Sequence, residues 1–267
     1  MRERLKWLRG GSAIAAALLL FACRGPAGEP RQDSKAAPAA KQPHPVEIVN
    51  VDDGNLDREG VILAALRAMT DAALGHDDAA SQAELKGRQF AVRIRFGCPG
   101  ANDPDRSLAY DAEHKVLRVK IQSNLTGEAL PASDLLRHGY DGGVGFTLGR
   151  PWLLAAGCPV PAFGSMSAGE PTIVIAQFFT ATDSRVQRPQ LAYELTKSLE
   201  PDKAPKAGLD LLLAGRLAQL SDGRPIHCAA QDGPAACIVS ARIDRVAIED
   251  PSSGDILGEW GNGAGAQ

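Results

Sequence analysis

Residue types that could do chemistry are scattered through this 267-residue chain, and none falls into a complete catalytic pattern. GSMSAG, Gly164 to Gly169, comes within one residue of GxSxG, but Ser165 stands where the first glycine would precede Ser167. It also leads into a strand pattern instead of leaving one for a helix, so turn chemistry explains it better than a nucleophilic elbow. GYDGGVGFTLG, Gly139 to Gly149, is rich in glycine but lacks the Lys-Ser/Thr ending of a phosphate loop. It is expected to be a mobile loop entering a strand, or a rim where something approaches the backbone closely. NDPD at Asn102 to Asp105 and DPSSGD at Asp250 to Asp255 have calcium-loop composition without the Asp-x-Asp-x-Asp-Gly order or the Glu that closes it. Turns account for both. NLT at Asn124 matches a glycosylation acceptor and nothing more. A hydrolase would have to draw its acid and base from residues such as Asp103, Asp105, His138, Asp141 or His227. Trp152 and Trp260 are the rings available to a carbohydrate platform. No catalytic residue, metal ligand or cofactor is assigned.

Four cysteines, Cys98, Cys158, Cys228 and Cys237, lie in the body of the chain. None sits in a CxxC pair or at metal-ligand spacing from a histidine, so zinc and thioredoxin-like chemistry lack support. An even set in an oxidising compartment reads as two disulfides, with three connectivities open. Cys228 and Cys237 flank the turn-rich AAQDGPAA between two strand patterns and pair locally. Cys98 and Cys158 share the contexts FGCPG and AGCPV and close a loop of about 60 residues. In the chain-entropy picture the two bridges contribute on the order of 3 and 4 kcal/mol.

The elements that position these residues are legible in the periodicity. Apolar residues at helical spacing from about Asn55 to Leu74 put Ile62, Ala65, Leu66, Met69, Ala72 and Ala73 on one face, with Gly75 as the stop. A short helix around Ala79 to Leu85 follows. From Gln89 the period changes to 2: Phe90, Val92, Ile94 and Phe96 share one side of a strand, and Arg93 and Arg95 the other. SLAYDAEHKVLRVKIQ reads as a hairpin turning at Ala112 to Lys115, TIVIAQFF as a central strand, and QLAYEL as another. The last sixty or so residues are a succession of strands. The expected fold is therefore α+β, mainly antiparallel, a two-sheet β-sandwich-like domain with one N-terminal amphipathic helix packed on it. A division near Pro201 to Lys206 would leave a small second core, so residues 47–260 read as one domain and 261–267 as a tail. If the Gln89 and Lys115 strands pair, Arg93, Arg95, Arg118 and Lys120 form a basic patch for an anionic ligand; a solvated outer face is the competing reading.

Composition separates the start of the chain from the rest. Arg2, Arg4, Lys6 and Arg9 precede an apolar run from Ala13 to Ala22, too short to span a bilayer and suited to an export signal. The run ends in Leu20, Phe21, Ala22 and Cys23, which resembles the lipobox of bacterial lipoproteins. That resemblance covers about 23 residues. It implies cleavage after residue 22, acylation of Cys23 and lasting membrane attachment, at roughly 0.8 kcal/mol per buried methylene. Arg24, where inner-membrane lipoproteins often carry Asp, implies an outer-membrane address in a Gram-negative-type envelope. Residues 23–46 hold five prolines and almost no large apolar side chain, and read as a disordered tether reaching on the order of 25 to 30 Å. Without residues 1–22 the formal charge moves from −3 to −6, since 25 Lys and Arg face 31 Asp and Glu. Nucleic acid is an unfavourable partner for such a chain. What remains is a lipid-anchored, non-catalytic binding or assembly module whose partner is an envelope protein or anionic envelope component. A periplasmic hydrolase and a carbohydrate-binding module are the alternatives.

Overall fold

The computed structural model describes residues 55–76, 79–100, 103–123, 125, 140–149, 153–158, 172–180, 182–183, 192–229 and 236–261. The expected signal, Cys23, the tether, Asn124, His138, Trp152, the GSMSAG segment and residues 262–267 lie outside that set. The described chain is mostly β, in two sheets, with few helices. Helices α1 (Arg58–Leu74) and α2 (Ala79–Ala83) are followed by strands β1 (Gln89–Phe96), β2 (Arg106–Asp111), β3 (Val116–Gln122), β4 (Gly142–Leu148) and β5 (Thr172–Phe179). Strands β6 (Ala192–Ser198), β7 (Leu209–Leu217), β8 (Ile226–Ala229), β9 (Ala236–Glu249) and β10 (Ile256–Gly261) complete it.

Asp57 begins α1 by accepting the Gly60 N–H, and Gly75, in the left-handed region, ends it. Its buried stripe is Arg58, Val61, Ile62, Ala65 and Ala68. Ala72 and Ala73, expected on that stripe, are exposed, because the last turn contributes nothing to the buried cluster.

Fourteen-residue β9 organises the larger sheet. Its first five residues pair with β5 on one edge, in parallel, and four of them with β8 on the other; from Ala241 onward it pairs with β7 and then β10. Strands β7 and β8 thus follow one edge of β9, interrupted by an excursion over residues 218–225. Ser240 closes that excursion at both ends: its carbonyl accepts the Ala218 N–H, and its own N–H donates to Pro225 O. On the opposite edge, Gln177 Oε1 accepts the Ile243 N–H between β5 and β10. Every described strand pairing is antiparallel except β5 with β9. Buried on both faces, as parallel-paired strands are, the first half of β9 sends Cys237, Val239 and Ala241 into the main core and Ile238 into a smaller cluster opposite.

The second sheet has the order β2-β3-β6. Leu117, Val119, Ile121 and Tyr193 from it share one buried cluster with Phe90, Val92, Ile94 and Phe96 of β1, the core side of β7 and β9, and Val61, Ile62, Ala65 and Ala68 of α1. Both expected disulfides are present, Cys98–Cys158 and Cys228–Cys237. The glycine-rich stretch, expected as a loop entering a strand or as a rim of close backbone approach, is strand β4 from Gly142 onward, and its bare positions do take a close neighbour: a Cβ at Gly143 or Gly145 would overlap Leu125. Strand pairing runs across residues 201–206, since β1 pairs with β7, and β5 with β9.

At the bulge between Ala214 and Gly215, the Gly215 Cα lies against the Arg242 carbonyl, where any side chain would overlap backbone. Gly215→Ala is expected to cost about 3 kcal/mol in urea unfolding, whereas Gly149→Ala, with open space around it, should change stability by less than about 0.5 kcal/mol.

Candidate functional site

The proposed basic patch rests on pairing between the Gln89 and Lys115 strands, and that pairing does not occur. Strand β1 lies beside β7, whereas β3 lies between β2 and β6 in the other sheet. Arg93 and Arg95 are therefore separated from Arg118 and Lys120, and each of the four has a carboxylate. Arg93 Nε lies 2.7 Å from Glu249 Oε2, a pair that crosses β7 diagonally, from the level of Leu212 to that of Asp210. Arg95 grips Asp210 with two bonds, 2.6 and 3.1 Å. Arg118 is 4.0 Å from Asp111, and Lys120 is 3.6 Å from Glu194. Like-charge rows that looked unpaired in sequence face carboxylates, for Arg93, Arg95 and Lys120 from strands far away in the chain and for Arg118 from the neighbouring strand of its own hairpin.

Arg58 is the charged residue that the helical pattern missed. At 8% exposure it is more buried than any other arginine described. Its guanidinium donates to Leu153 O at 2.9 Å, Arg93 O at 3.1 Å and Gly149 O at 3.2 Å, joining the start of α1, the edge of β1 and the segment beyond β4. Burial lowers its pKa, and the neighbouring charge of Arg106 adds to this, against the attraction of Asp210. Arg106 in turn binds Asp103 Oδ2 at 2.7 Å and Thr147 O at 3.0 Å. These guanidiniums hold backbone in place. The signal available in sequence was a cation on an apolar helical stripe, at the i−4 position from Ile62.

A second polar group forms where the 218–225 excursion folds over the sheet. Leu220 packs on Val174, Ala176 and Ile238, with Leu125, Tyr140 and Phe178 beside them. The Tyr140 and Phe178 rings are 5.4 Å apart. Burial raises the Tyr140 pKa, and the charges of Asp222 and Asp183 raise it further, against a hydrogen bond from the Ser221 backbone. His227 Nε2 lies 3.2 Å from Asp222 Oδ1, with no hydrogen bond formed. Of the other hydrolase candidates, Asp103 is bound to Arg106, Asp105 precedes β2 and Asp141 precedes β4, so the described members are spread over both sheets. Among the described residues no three His, Cys, Asp or Glu side chains are placed to hold a metal ion. Trp260 packs edge-on against buried Tyr193 at 5.4 Å and borders the main core, which makes it a poor open platform for a sugar.

The described surface includes the following pair of clefts. One, of about 300 Å³, runs between α1 and the α2 region and is bounded by Leu63, Ala64, Arg67, Glu84, Leu85 and Arg88. The other, of about 350 Å³, lies between residues 199–206 and the β9–β10 turn, where Asp202, Asp250 and Asp255 meet Lys203 and Lys206. Asp250 is engaged in its own turn, accepting the Ser252 N–H. Neither cleft contains Asp103, Asp105, Asp141 or His227. Comparison of the chain with protein-family models, curated proteins and solved structures finds no match in any of the three.

Burial separates the two arginine pairs of β1. Asp210→Ala, which strands Arg95 at 14% side-chain exposure, is expected to cost about 3 kcal/mol. Glu249→Ala, facing an Arg93 that is half exposed, should cost less than about 1 kcal/mol. Chemical denaturation of both variants checks the contrast. In an alkaline ultraviolet titration, Tyr140 is expected to ionise above the ordinary value of 10.0, and Tyr140→Phe should remove that late step. Because the folded pKa is raised, stability supplied by neutral Tyr140 is present below pH 10 and declines as the unfolded chain ionises above it.

Proposed function

We propose that this chain is an exported lipoprotein of a Gram-negative-type envelope, held in the outer membrane by acylated Cys23 and facing the periplasm. Its folded part is a two-sheet β-sandwich with α1 packed on it, acting as a non-catalytic binding or assembly module. The observation that carries the reading is the use of the cysteines. Cys98 bonds to Cys158 and Cys228 to Cys237, which accounts for every cysteine after Cys23 and leaves the lipobox cysteine as the one with no bridging partner in the chain. Two bridges suit an oxidising compartment, and a single cysteine at the end of an export signal suits acylation. No helix among the described residues is long and apolar enough to cross a membrane, so attachment in this scheme rests on lipid. Support for binding over catalysis comes from Arg58, Arg93, Arg95 and Arg106, which are spent on carboxylates and backbone carbonyls, and from the dispersal of the described acid–base candidates over both sheets.

Cells grown with labelled palmitate are expected to label the wild-type protein and not Cys23→Ser, and globomycin should accumulate a precursor longer by the signal. An unlabelled wild-type chain would contradict the anchor. Mild crosslinking in intact cells should retain the protein in one defined envelope complex; a monomer under every condition would contradict the assembly role.

A further inference from the structure

We propose that the face formed by α1 and the α2 region is where the domain rests on the phospholipid surface that carries its anchor; this rests on the lipoprotein reading above. Leu63 and Leu74 are 51% and 62% exposed, the two most exposed large apolar side chains among the described residues. They are eleven positions apart on α1, three turns, so with Arg67 and Thr70 they form one outward stripe. Beside the stripe lies the cleft of about 300 Å³, lined by Leu63, Ala64, Ala68 and Leu85 together with Arg67. Apolar side chains beside a guanidinium match the layering of a bilayer surface, in which acyl chains lie beneath phosphate-bearing headgroups. Arg67 stands out on a mature chain of charge −6, although Glu84 shares the cleft and Asp71 lies on the same helix.

Chain connectivity selects the membrane as occupant. In the lipoprotein reading, the chain between Cys23 and the described residues ends at Asn55, three residues before α1, so the anchor joins the described fold beside this helix. A covalent link to the lipid supplies an effective concentration on the order of millimolar. Contact too weak to bind a free protein is then enough to orient a tethered one.

The test uses the full lipidated protein reconstituted in vesicles of phosphatidylethanolamine and phosphatidylglycerol, with a nitrobenzoxadiazole label on Thr70→Cys or, as control, on Ser107→Cys of β2. The label at position 70 is expected to shift to the blue and be quenched by doxyl lipids, and the label at 107 to remain water-exposed. Adding Leu63→Asp and Leu74→Asp should reduce the quenching at position 70 by roughly tenfold, the loss of two partly inserted leucines. Both positions are exposed, and an unchanged thermal transition would show that the domain still folds. Equal wetting of positions 70 and 107 on vesicles that hold the protein would overturn the docking face alone. A protein that neither takes up palmitate nor floats with vesicles would overturn the anchor, and the docking face with it.

Discussion

Strand β9 must satisfy more neighbours than any other element, and the rest of the larger sheet is arranged around that demand. Fourteen residues accept partners along both edges from four strands. Since β7 and β8 share an edge, the chain between them has to leave the sheet and return, which creates the 218–225 excursion and places Leu220 and Asp222 over the sheet. The other edge is shared by β5 and β10, and a side-chain amide, Gln177, fills the interval because an unpaired buried N–H is costly. Gly215 is required at the bulge on the same strand. Cys237, at its second residue, locks β8 beneath α1: both sulfurs of the Cys228–Cys237 bridge lie within 3.7 Å of Ala65 O. Helix, bridge and sheet therefore depend on one strand.

The same sheet explains why the arginines described on its outer side form no simple cationic face. Charges on the outer side of β1, β7, β9 and β10 alternate across strands: Arg93 meets Glu249, Arg95 meets Asp210, and Arg245 meets Glu259. The exposed pairs add little to stability. The buried ones act differently. Asp210 and Arg95 each need the other, and Arg58 replaces water with three backbone carbonyls. Arg58 thereby tethers the segment beyond β4 to α1 and β1, close to the Cys98–Cys158 bridge that ties part of the same segment to the end of β1.

Much of this was legible beforehand. The period change at Gln89, the hairpin at Ala112 to Lys115, the helix stop at Gly75 and both cysteine pairings follow from local pattern, and the structure agrees. What sequence did not show were properties of long-range pairing. That β1 meets β7 instead of β3 depends on segments more than a hundred residues apart, and with that partner goes the identity of every counter-ion on Arg93 and Arg95. Strand β4 was hidden by its glycines, which lower strand propensity locally but make room for Leu125 in the fold. Arg58 was hidden because burial of a cation is decided by three carbonyls from two distant segments, β1 and residues 149–153. Of the candidate site, the disulfides were readable; the patch was not, since residue type alone does not reveal which carboxylate lies opposite.

In the proposed reading, bracing and anchoring draw on one pool of five cysteines and share one route out of the cytoplasm. Four thiols would form their bridges in an oxidising compartment, while the fifth would meet an acyl transferase before any bridge captured it. The most direct measurement is non-reducing peptide mapping by mass spectrometry of the protein recovered from cell envelopes. The account predicts an N-terminal peptide beginning at acylated Cys23, together with linked peptides joining Cys98 to Cys158 and Cys228 to Cys237. A chain that retains residues 1–22 with an unmodified Cys23, or that carries Cys98, Cys158, Cys228 and Cys237 as free thiols, would contradict it.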